Sequence, residues 1–312
     1  MNIRKFDPAA DFTRLETYLR RQIREDGSSA SWLPERLHDL LYRVDGQEAA
    51  EGGTRSRDYT FLAEEDSRIL GCILPDGENV YFGLTTGREA LFPSLLRFSE
   101  EHCLPLFSPG VDGSIKFWAA VSDSLEHAKQ HLAGLGYQKY AEEEYTCSLA
   151  PGSASLPPQL PQGFRLVFGE DYPDERNKWT ALRLGFHPDR EETDPRVDMG
   201  PYEARKQSSL YPDSFECLIL DDTVREGNPV CAYCFVYVDS RSGTAMIEPL
   251  SVREAWQGRG LGIALIRGAV LRCRELGLGK CYVDCFGWRK DFYTAAGFTV
   301  EDRIGFWYRR LG

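Results

Sequence analysis

Residues 248–263 read Glu-Pro-Leu-Ser-Val-Arg-Glu-Ala-Trp-Gln-Gly-Arg-Gly-Leu-Gly-Ile, and this stretch decides how the fold is interpreted. It predicts an apolar strand that ends at Val252, a glycine-rich loop, and an amphipathic helix over Gly260–Leu276. Glycines in the loop let the backbone approach a bulky anion, because they carry no Cβ. The first N–H groups of a helix lack partners within it and lie at the positive end of its dipole. The stretch therefore predicts a backbone site for a pyrophosphate, with Arg259 adding a contact from the rim.

The spacing of the glycines distinguishes between known phosphate-binding loops. Gly258-Arg-Gly-Leu-Gly262 lacks the G-x-G-x-x-G spacing of dinucleotide-binding folds, and the chain contains no G-x-x-x-x-G-K-[ST] loop for a nucleoside triphosphate. Gln257-Gly-Arg-Gly-Leu-Gly262 instead resembles the Q/R-x-x-G-x-G/A signature of the GNAT (Gcn5-related) N-acetyltransferases. Phe292-Tyr-Thr-Ala-Ala-Gly-Phe298 resembles the Y-x-x-x-G-F motif of the same family, in the same order along the chain.

The resemblance implies acetyl-CoA as the acyl donor and no metal. In this family the loop holds the pyrophosphate of coenzyme A, and backbone groups of the preceding strand pair with the amides of pantetheine. The residues that match these positions are Leu250, Ser251, Val252, Gln257, Gly258, Arg259, Gly260, Leu261, Gly262 and Ile263.

Two residues are candidates for catalysis. Tyr293 matches the family tyrosine that hydrogen-bonds the thioester sulfur, and a phenol can donate a proton to a departing thiolate. Glu248 is the candidate base, because period-2 alternation puts its side chain on the face of Leu250 and Val252. A tyrosine packed at the helix–sheet interface and a glutamate paired with an arginine are the structural alternatives. Phe286 stands where family members often have an asparagine, which leaves the geometry around the sulfur open.

The chain divides into two similar halves. Ala150–Gln162 contains four prolines with glycine and serine, which predicts a linker between a domain over 1–149 and a domain over 163–312. Each half shows the same order: strand, helix, antiparallel strands, a strand leading to a helix, then strand, helix and strand. This order predicts an α/β fold with a mixed sheet, formed by two tandem GNAT-like domains.

The N-terminal half lacks both signals of the cofactor site. Its connection Thr85–Ala90 is shorter than Val252–Gly262 and has a single glycine. Leu132 stands four residues before Gly136, where the second half has Tyr293 four residues before its own glycine. We therefore expect this half to be a degenerate copy that binds no coenzyme A and serves as scaffold or as a wall of the acceptor cleft.

Composition limits the other possibilities. The formal net charge of −11 repels phosphate backbones, so nucleic acid is not an expected partner. No apolar run approaches the roughly 20 residues of a membrane span, and the N-terminus is polar, so we expect a cytoplasmic protein with no membrane partner. The nine cysteines, including Cys231, Cys234, Cys281 and Cys285, are expected to be structural thiols, since no regular disulfide framework or zinc pattern is present.

These observations favour an N-acetyltransferase that acts on a primary amine of a small molecule by direct attack. An acyl-CoA-binding sensor without chemistry and an aminoglycoside-type antibiotic acetyltransferase remain alternatives. His187 could line the acceptor side, although an exposed loop histidine is the simpler interpretation. The identity of the acceptor lies in segments such as Phe186–Leu210, whose shape the sequence does not predict.

Overall fold

The computed structural model describes residues 1–26, 32–42, 56–153, 158–189 and 199–311 of the chain. The strands are β1 (Asn2–Lys5), β2 (Phe61–Glu65), β3 (Arg68–Asp76), β4 (Asn79–Leu84), β5 (Ile115–Ser122), β6 (Gln138–Leu149), β7 (Phe164–Phe168), β8 (Phe215–Asp221), β9 (Val230–Asp239), β10 (Thr244–Val252), β11 (Lys280–Phe286) and β12 (Thr299–Leu311). The α-helices in these ranges are α1 (Pro8–Asp26), α2 (Pro34–Tyr42), α3 (Phe92–His102), α4 (Glu126–Gly134), α5 (Glu175–Phe186), α6 (Gly200–Arg205), α7 (Leu261–Glu275) and α8 (Gly287–Ala295). The predicted α/β architecture with a mixed sheet is confirmed.

The strands form one continuous sheet in the order β1-β2-β3-β4-β5-β12-β6-β11-β10-β9-β8-β7. This order is symmetric about its centre, because each strand from β1 to β6 has its counterpart six strands later in the chain. The last strand of each half is exchanged between the halves. β12 pairs with β5 and β6, and β6 pairs with β11, all antiparallel.

The exchange of β6 and β12 adds a feature that the order of elements does not predict. The sequence predicts domains over 1–149 and 163–312, joined by a linker over 150–162 of which residues 154–157 lie outside the described residues. In the sheet, each half relies on the other to pair its last strand. The backbone hydrogen bonds at the centre of the sheet therefore join the two halves.

Successive side chains along each strand point to opposite faces of the sheet, so the hydrophobic core is divided between the two faces. In β9, Cys234 and Val236 pack on the face covered by α7 and α8, whereas Tyr233 and Phe235 pack on the face covered by α5 and α6. The N-terminal half repeats this arrangement, with α3 and α4 on the first face and α1 and α2 on the second. Leu33, which precedes α2, is buried in the core beneath α5 and α6, so α2 reaches across to the C-terminal half.

Most predicted elements are confirmed within a few residues. The helix predicted over Gly260–Leu276 is α7, and the one predicted from Pro173 begins at Glu175, because the Asp174 side chain accepts a hydrogen bond from the Asn177 amide at 2.9 Å. The short helices α2 and α6 were not predicted. No helix in the described ranges combines the length and the apolar character that crossing a membrane requires.

Candidate functional site: a cofactor cavity where two strands diverge

The central parallel strands of the C-terminal half separate after three residue pairs. β10 pairs with β11 only at Thr244–Lys280, Ala245–Cys281 and Met246–Tyr282. Beyond Met246, β10 keeps its antiparallel pairing with β9, and β11 keeps its pairing with β6. A V-shaped gap therefore opens between β10 and β11, and it leaves one edge of β10 unpaired near Leu250–Val252. Backbone groups at such an edge are available to a ligand.

A β-bulge lies in β10 at the start of this gap. Ile247 pairs with Val236 and Leu250 pairs with Cys234, so β10 has one residue more than β9 at Glu248–Pro249. The argument from alternation, which put the Glu248 side chain on the face of Leu250 and Val252, is wrong, because the extra residue interrupts the period of two. Glu248 nevertheless lies near the gap, since its negative charge helps raise the pKa of Tyr293.

The loop after β10 adopts the conformation that its glycines permit. Gly258 and Gly260 have φ values of 75° and 77°, in the left-handed region that favours glycine. Gly262 lies in the first turn of α7, where an added Cβ would come within 2.9 Å of the Phe292 ring. The Gln257 side chain fixes the loop to the strand by donating a hydrogen bond from Nε2 to the Val252 carbonyl at 2.9 Å.

The start of α7 presents unpaired backbone donors. Gly260 is the residue before the helix, and no side chain caps this end. The N–H groups of Leu261, Gly262 and Ile263 have no hydrogen-bond acceptor within the part of the chain that the structure describes. These donors lie at the positive end of the helix dipole, an arrangement suited to binding an anion such as a pyrophosphate.

A cavity of about 420 Å³ joins the helix start to the edge of β10. Its lining residues are Gly185, Phe186, Leu250, Ser251, Val252, Trp256, Gln257, Gly258, Gly260, Leu261, Gly262, Ile263, Arg289 and Phe292. Nine of the ten cofactor residues predicted from sequence line this cavity. The exception is Arg259, whose Nη2 donates to the Ala255 carbonyl at 3.1 Å.

Five residues of the cavity lining were not predicted from sequence. Gly185 and Phe186 end α5, and an added Cβ on Gly185 would lie 2.4 Å from the Ser251 Cβ, so only glycine fits this contact. Arg289 and Phe292 lie on α8 beside the recognised tyrosine motif, and their position next to Tyr293 is the signal that could have identified them. Trp256 donates from Nε1 to Asp221 at 2.8 Å, a contact between distant segments that the sequence does not reveal.

Tyr293 lies behind the cavity wall. It is buried, and its ring packs edge-on against Phe292 with 5.1 Å between the centroids. Burial, aided by the negative charge of Glu248, raises the pKa of Tyr293 well above its ordinary value. The phenol is therefore protonated at neutral pH and can donate a hydrogen bond. Phe286, at the position of the family asparagine, is 42% exposed and its ring lies 6.2 Å from that of Phe306.

The remaining candidate residues have no contact with this cavity. His187 is exposed at the end of α5. All nine cysteines are buried thiols. A bulge opposite Ile219–Leu220 brings both Cys231 and Cys234 into the same core, although residues three apart in a regular strand point to opposite faces. Within the described residues, no group of three His, Cys, Asp or Glu side chains could hold a metal ion.

The matching position in the N-terminal half differs in its hydrogen bonding. Strands β4 and β5 also separate after three pairs, yet Gly87 in the following loop donates its amide to its own neighbour Glu89 at 2.9 Å. The loop amide that corresponds to the donors of the C-terminal half is therefore already hydrogen-bonded to a carboxylate. Pro93, which has no N–H, lies at the start of α3, and Leu132 is fully buried in the core.

Comparison with known proteins agrees with this geometry. Residues 179–298 match the model of the acetyltransferase (GNAT) family. A GCN5-related N-acetyltransferase from Sphaerobacter thermophilus superposes with a TM-score of 0.65 at 16% identity, over 99% of this chain and 95% of that chain. A tandem GNAT protein from the clavulanic acid biosynthesis pathway superposes with a TM-score of 0.59 at 16% identity, over 100% and 98% of the two chains.

A GNAT-family acetyltransferase from Colwellia psychrerythraea is also similar in fold, with a TM-score of 0.52 at 13% identity over 99% of each chain. No curated protein sequence matches the chain. Residues 179–298 therefore match the GNAT acetyltransferase family model, and the whole chain has the fold of tandem GNAT proteins.

Proposed function

We propose that the chain is an N-acetyltransferase that transfers the acetyl group of acetyl-CoA to a primary amine of a small molecule by direct attack. The observation that carries this proposal is the cavity that connects the unpaired amides of Leu261–Ile263 with the open edge of β10. An elongated acyl donor with a pyrophosphate at one end and amides along its arm matches both features. The pyrophosphate binds the amides of α7, and the amides of pantetheine pair with the backbone of Leu250–Val252.

The proposal assigns one group to each step of the transfer. The amine nitrogen forms a bond to the thioester carbonyl carbon, the carbon–sulfur bond breaks, and the amine gives up a proton. Tyr293, kept protonated by burial, donates a hydrogen bond or a proton to the departing sulfur. Glu248 accepts the amine proton through water from its position at the bulge.

The N-terminal half has no cofactor site in this proposal. Its support is the Gly87 amide, which Glu89 already occupies, together with Leu132 in place of a tyrosine. The chain should therefore bind one molecule of acetyl-CoA. Calorimetric titration of the full chain tests this number, and two equivalents per chain would contradict it.

A coupled measurement tests the reaction itself. The full chain is incubated with acetyl-CoA and a panel of small primary amines, aminoglycosides included, and free coenzyme A thiol is followed over time. The proposal predicts continuous release that depends on the amine and on Tyr293. Tight acetyl-CoA binding without amine-dependent release across the panel would contradict it and favour a sensor, which needs the loop but not the tyrosine.

A further inference from the structure

The short helix α2 of the N-terminal half bridges the two strands that diverge in the C-terminal half. Its Glu35 accepts a hydrogen bond from Thr244 Oγ1 on β10 at 2.8 Å. The neighbouring Arg36 lies 3.6 Å from Asp284 on β11, measured from Nη1 to Oδ2. The helix thus lies on the face of the sheet opposite α7 and α8 and reaches β11 beyond the point where β10 and β11 separate, so an acceptor that approaches the gap from this face would meet α2.

Asp284 lies on β11 two residues beyond its last pair with β10. Tyr282 packs in the core beneath α5 and α6, whereas Cys281, Val283 and Cys285 pack in the core beneath α7. Alternation therefore places the Asp284 side chain on the α2 side of the sheet. It accepts a hydrogen bond from Thr146 Oγ1 at 2.6 Å and is 5% exposed.

The N-terminal half brings a second carboxylate to the same place. Glu144 on β6 is 6% exposed, and it lies 2.8 Å from Arg36 and 2.5 Å from the Tyr81 hydroxyl, which donates to it. Within the described ranges, Arg36 is the cation in contact with both Glu144 and Asp284. Arg36 also lies 3.1 Å from Asp76 on β3, so three carboxylates share one guanidinium. Burial of the excess negative charge favours a further cation.

A separate feature beside this cluster also indicates a ligand. The Trp32 ring lies over Arg36, 5.0 Å from its Cζ, and 5.8 Å from the Tyr81 ring. Trp32 is only 3% exposed, and its Nε1 donor has no acceptor within the described part of the chain. A buried donor without a partner is costly, and an oxygen atom on a bound molecule would satisfy it.

We propose that α2 and β6 of the N-terminal half complete the acceptor site of the C-terminal half, where Glu144 and Asp284 bind the ammonium group of a small primary amine and Trp32 donates a hydrogen bond to an oxygen of the same molecule. This proposal rests on the proposed acetyl transfer. The acceptor class is a compact amino alcohol or amino carbonyl compound. The N-terminal half then determines the choice of acceptor, although it binds no coenzyme A itself.

The electrostatics of Asp284 agree with this assignment. Burial and the charge of Glu144 raise the pKa of Asp284 to about 6, while Arg36 and the Thr146 hydroxyl oppose the rise. An ammonium ion placed between the two carboxylates would lower that pKa again. Asp302, whose Oδ2 also lacks a partner within the described residues, adds a further negative charge nearby.

Steady-state kinetics with matched acceptors test the proposal on the full chain. The probes are linear amino alcohols and alkylamines of equal length, with acetyl-CoA saturating. Glu144→Gln and Asp284→Asn should each raise the amine KM at least tenfold and leave the calorimetric Kd for acetyl-CoA within twofold. Asp11→Asn is the matched control, because it removes an equally buried carboxylate paired with Arg4 and Arg14 at the far edge of the sheet. It should change neither value.

A second variant keeps the test decisive if loss of a carboxylate unfolds the chain. Trp32→Phe keeps an aromatic side chain and removes the N–H donor, so it should raise KM for the amino alcohols and not for the alkylamines. Folded variants with the KM values of the unmodified chain would overturn the proposal.

Direct calorimetry separates this site from the proposed function. Amino alcohols are titrated into the chain loaded with coenzyme A, without turnover. Binding that Glu144→Gln abolishes, with no thiol release in the unmodified chain, would support the site and refute acetyl transfer. Turnover with the same amine KM in Glu144→Gln, in Asp284→Asn and in the unmodified chain would support acetyl transfer and overturn the site. Absence of both binding and turnover for every probe would overturn the site as well.

Discussion

Glu35 makes the stability of the chain depend on pH, and its replacement by glutamine measures the effect. The side chain is fully buried on α2, where one oxygen accepts from Thr244 and the other, Oε2, has no partner among the described residues. Burial raises its pKa from 4.5 to about 7, and the nearby Asp239 adds to the rise, while Thr244 and Arg20 oppose it. Tyr282 on β11 also faces this carboxyl.

The sign of the effect follows from the raised pKa. The folded chain holds the Glu35 proton more tightly than the unfolded chain, so the stabilisation is complete below pH 4.5 and is lost as the pH rises through about 7. The difference between the pKa of Glu35 in the unfolded and the folded chain, at about 1.4 kcal/mol per pKa unit, corresponds to roughly 3 kcal/mol of stabilisation. Most of this stabilisation is lost between about pH 5 and pH 8.

Glu35→Gln removes this dependence because glutamine stays neutral and keeps an oxygen for the Thr244 hydroxyl. The unfolding entropy is about 2.1 cal/mol/K per residue, taken over 312 residues. With this entropy, a change of roughly 2 to 3 kcal/mol in the free energy of unfolding shifts the Tm by about 4 °C. The Tm of the variant relative to the unmodified chain should therefore rise by about 4 °C between pH 5 and pH 8. Differential scanning calorimetry at the two pH values measures it. Equal Tm differences at both values would refute the reasoning.

Three further predictions concern the site and the sheet. Tyr293→Phe should lower kcat by about tenfold or more in the thiol-release assay while the calorimetric Kd for acetyl-CoA stays unchanged, and an unchanged kcat removes the phenol from the mechanism. Gly262→Ala brings a Cβ within 2.9 Å of Phe292 and should raise the Kd for acetyl-CoA about tenfold. Gly134→Ala, whose added Cβ lies in open space on α4, is the control and should leave the Kd unchanged. Equal Kd values for the two variants would contradict the effect of the close contact. Residues 158–312 produced alone lack β6 and should show no cooperative thermal transition by circular dichroism until residues 1–157 are added; a cooperative transition of the isolated piece would refute the dependence on strand exchange.

The local parts of the site could be predicted from sequence because each depends on neighbouring residues. A glycine-rich loop that begins a helix leaves backbone N–H groups open to close approach, and the structure lines the cavity with nine of the ten residues that the pattern named. The motif after β11 forms α8 beside the cavity, although Phe292 lines the wall and the predicted Tyr293 does not. The roles of Tyr293 and Glu248 stay predictions.

Features that depend on distant contacts could not be predicted. The bulge at Glu248–Pro249 and the one beside Cys231 each shift a strand by one residue, and alternation read from sequence cannot detect such a shift. The exchange of β6 and β12 is hidden for a related reason, since a strand shows which of its faces is buried and not which strand it pairs with. Arg36 illustrates the same limit, because its partners lie on β3, β6 and β11.

The central claim is that acetyl-CoA binds between the first turn of α7 and the open edge of β10. A crystal structure of the full chain with acetyl-CoA tests it directly. The pyrophosphate oxygens should lie about 3 Å from the amides of Leu261, Gly262 and Ile263, with the thioester in the gap between β10 and β11. A pyrophosphate bound elsewhere, or one at Thr85–Ala90 in the N-terminal half, would contradict the account.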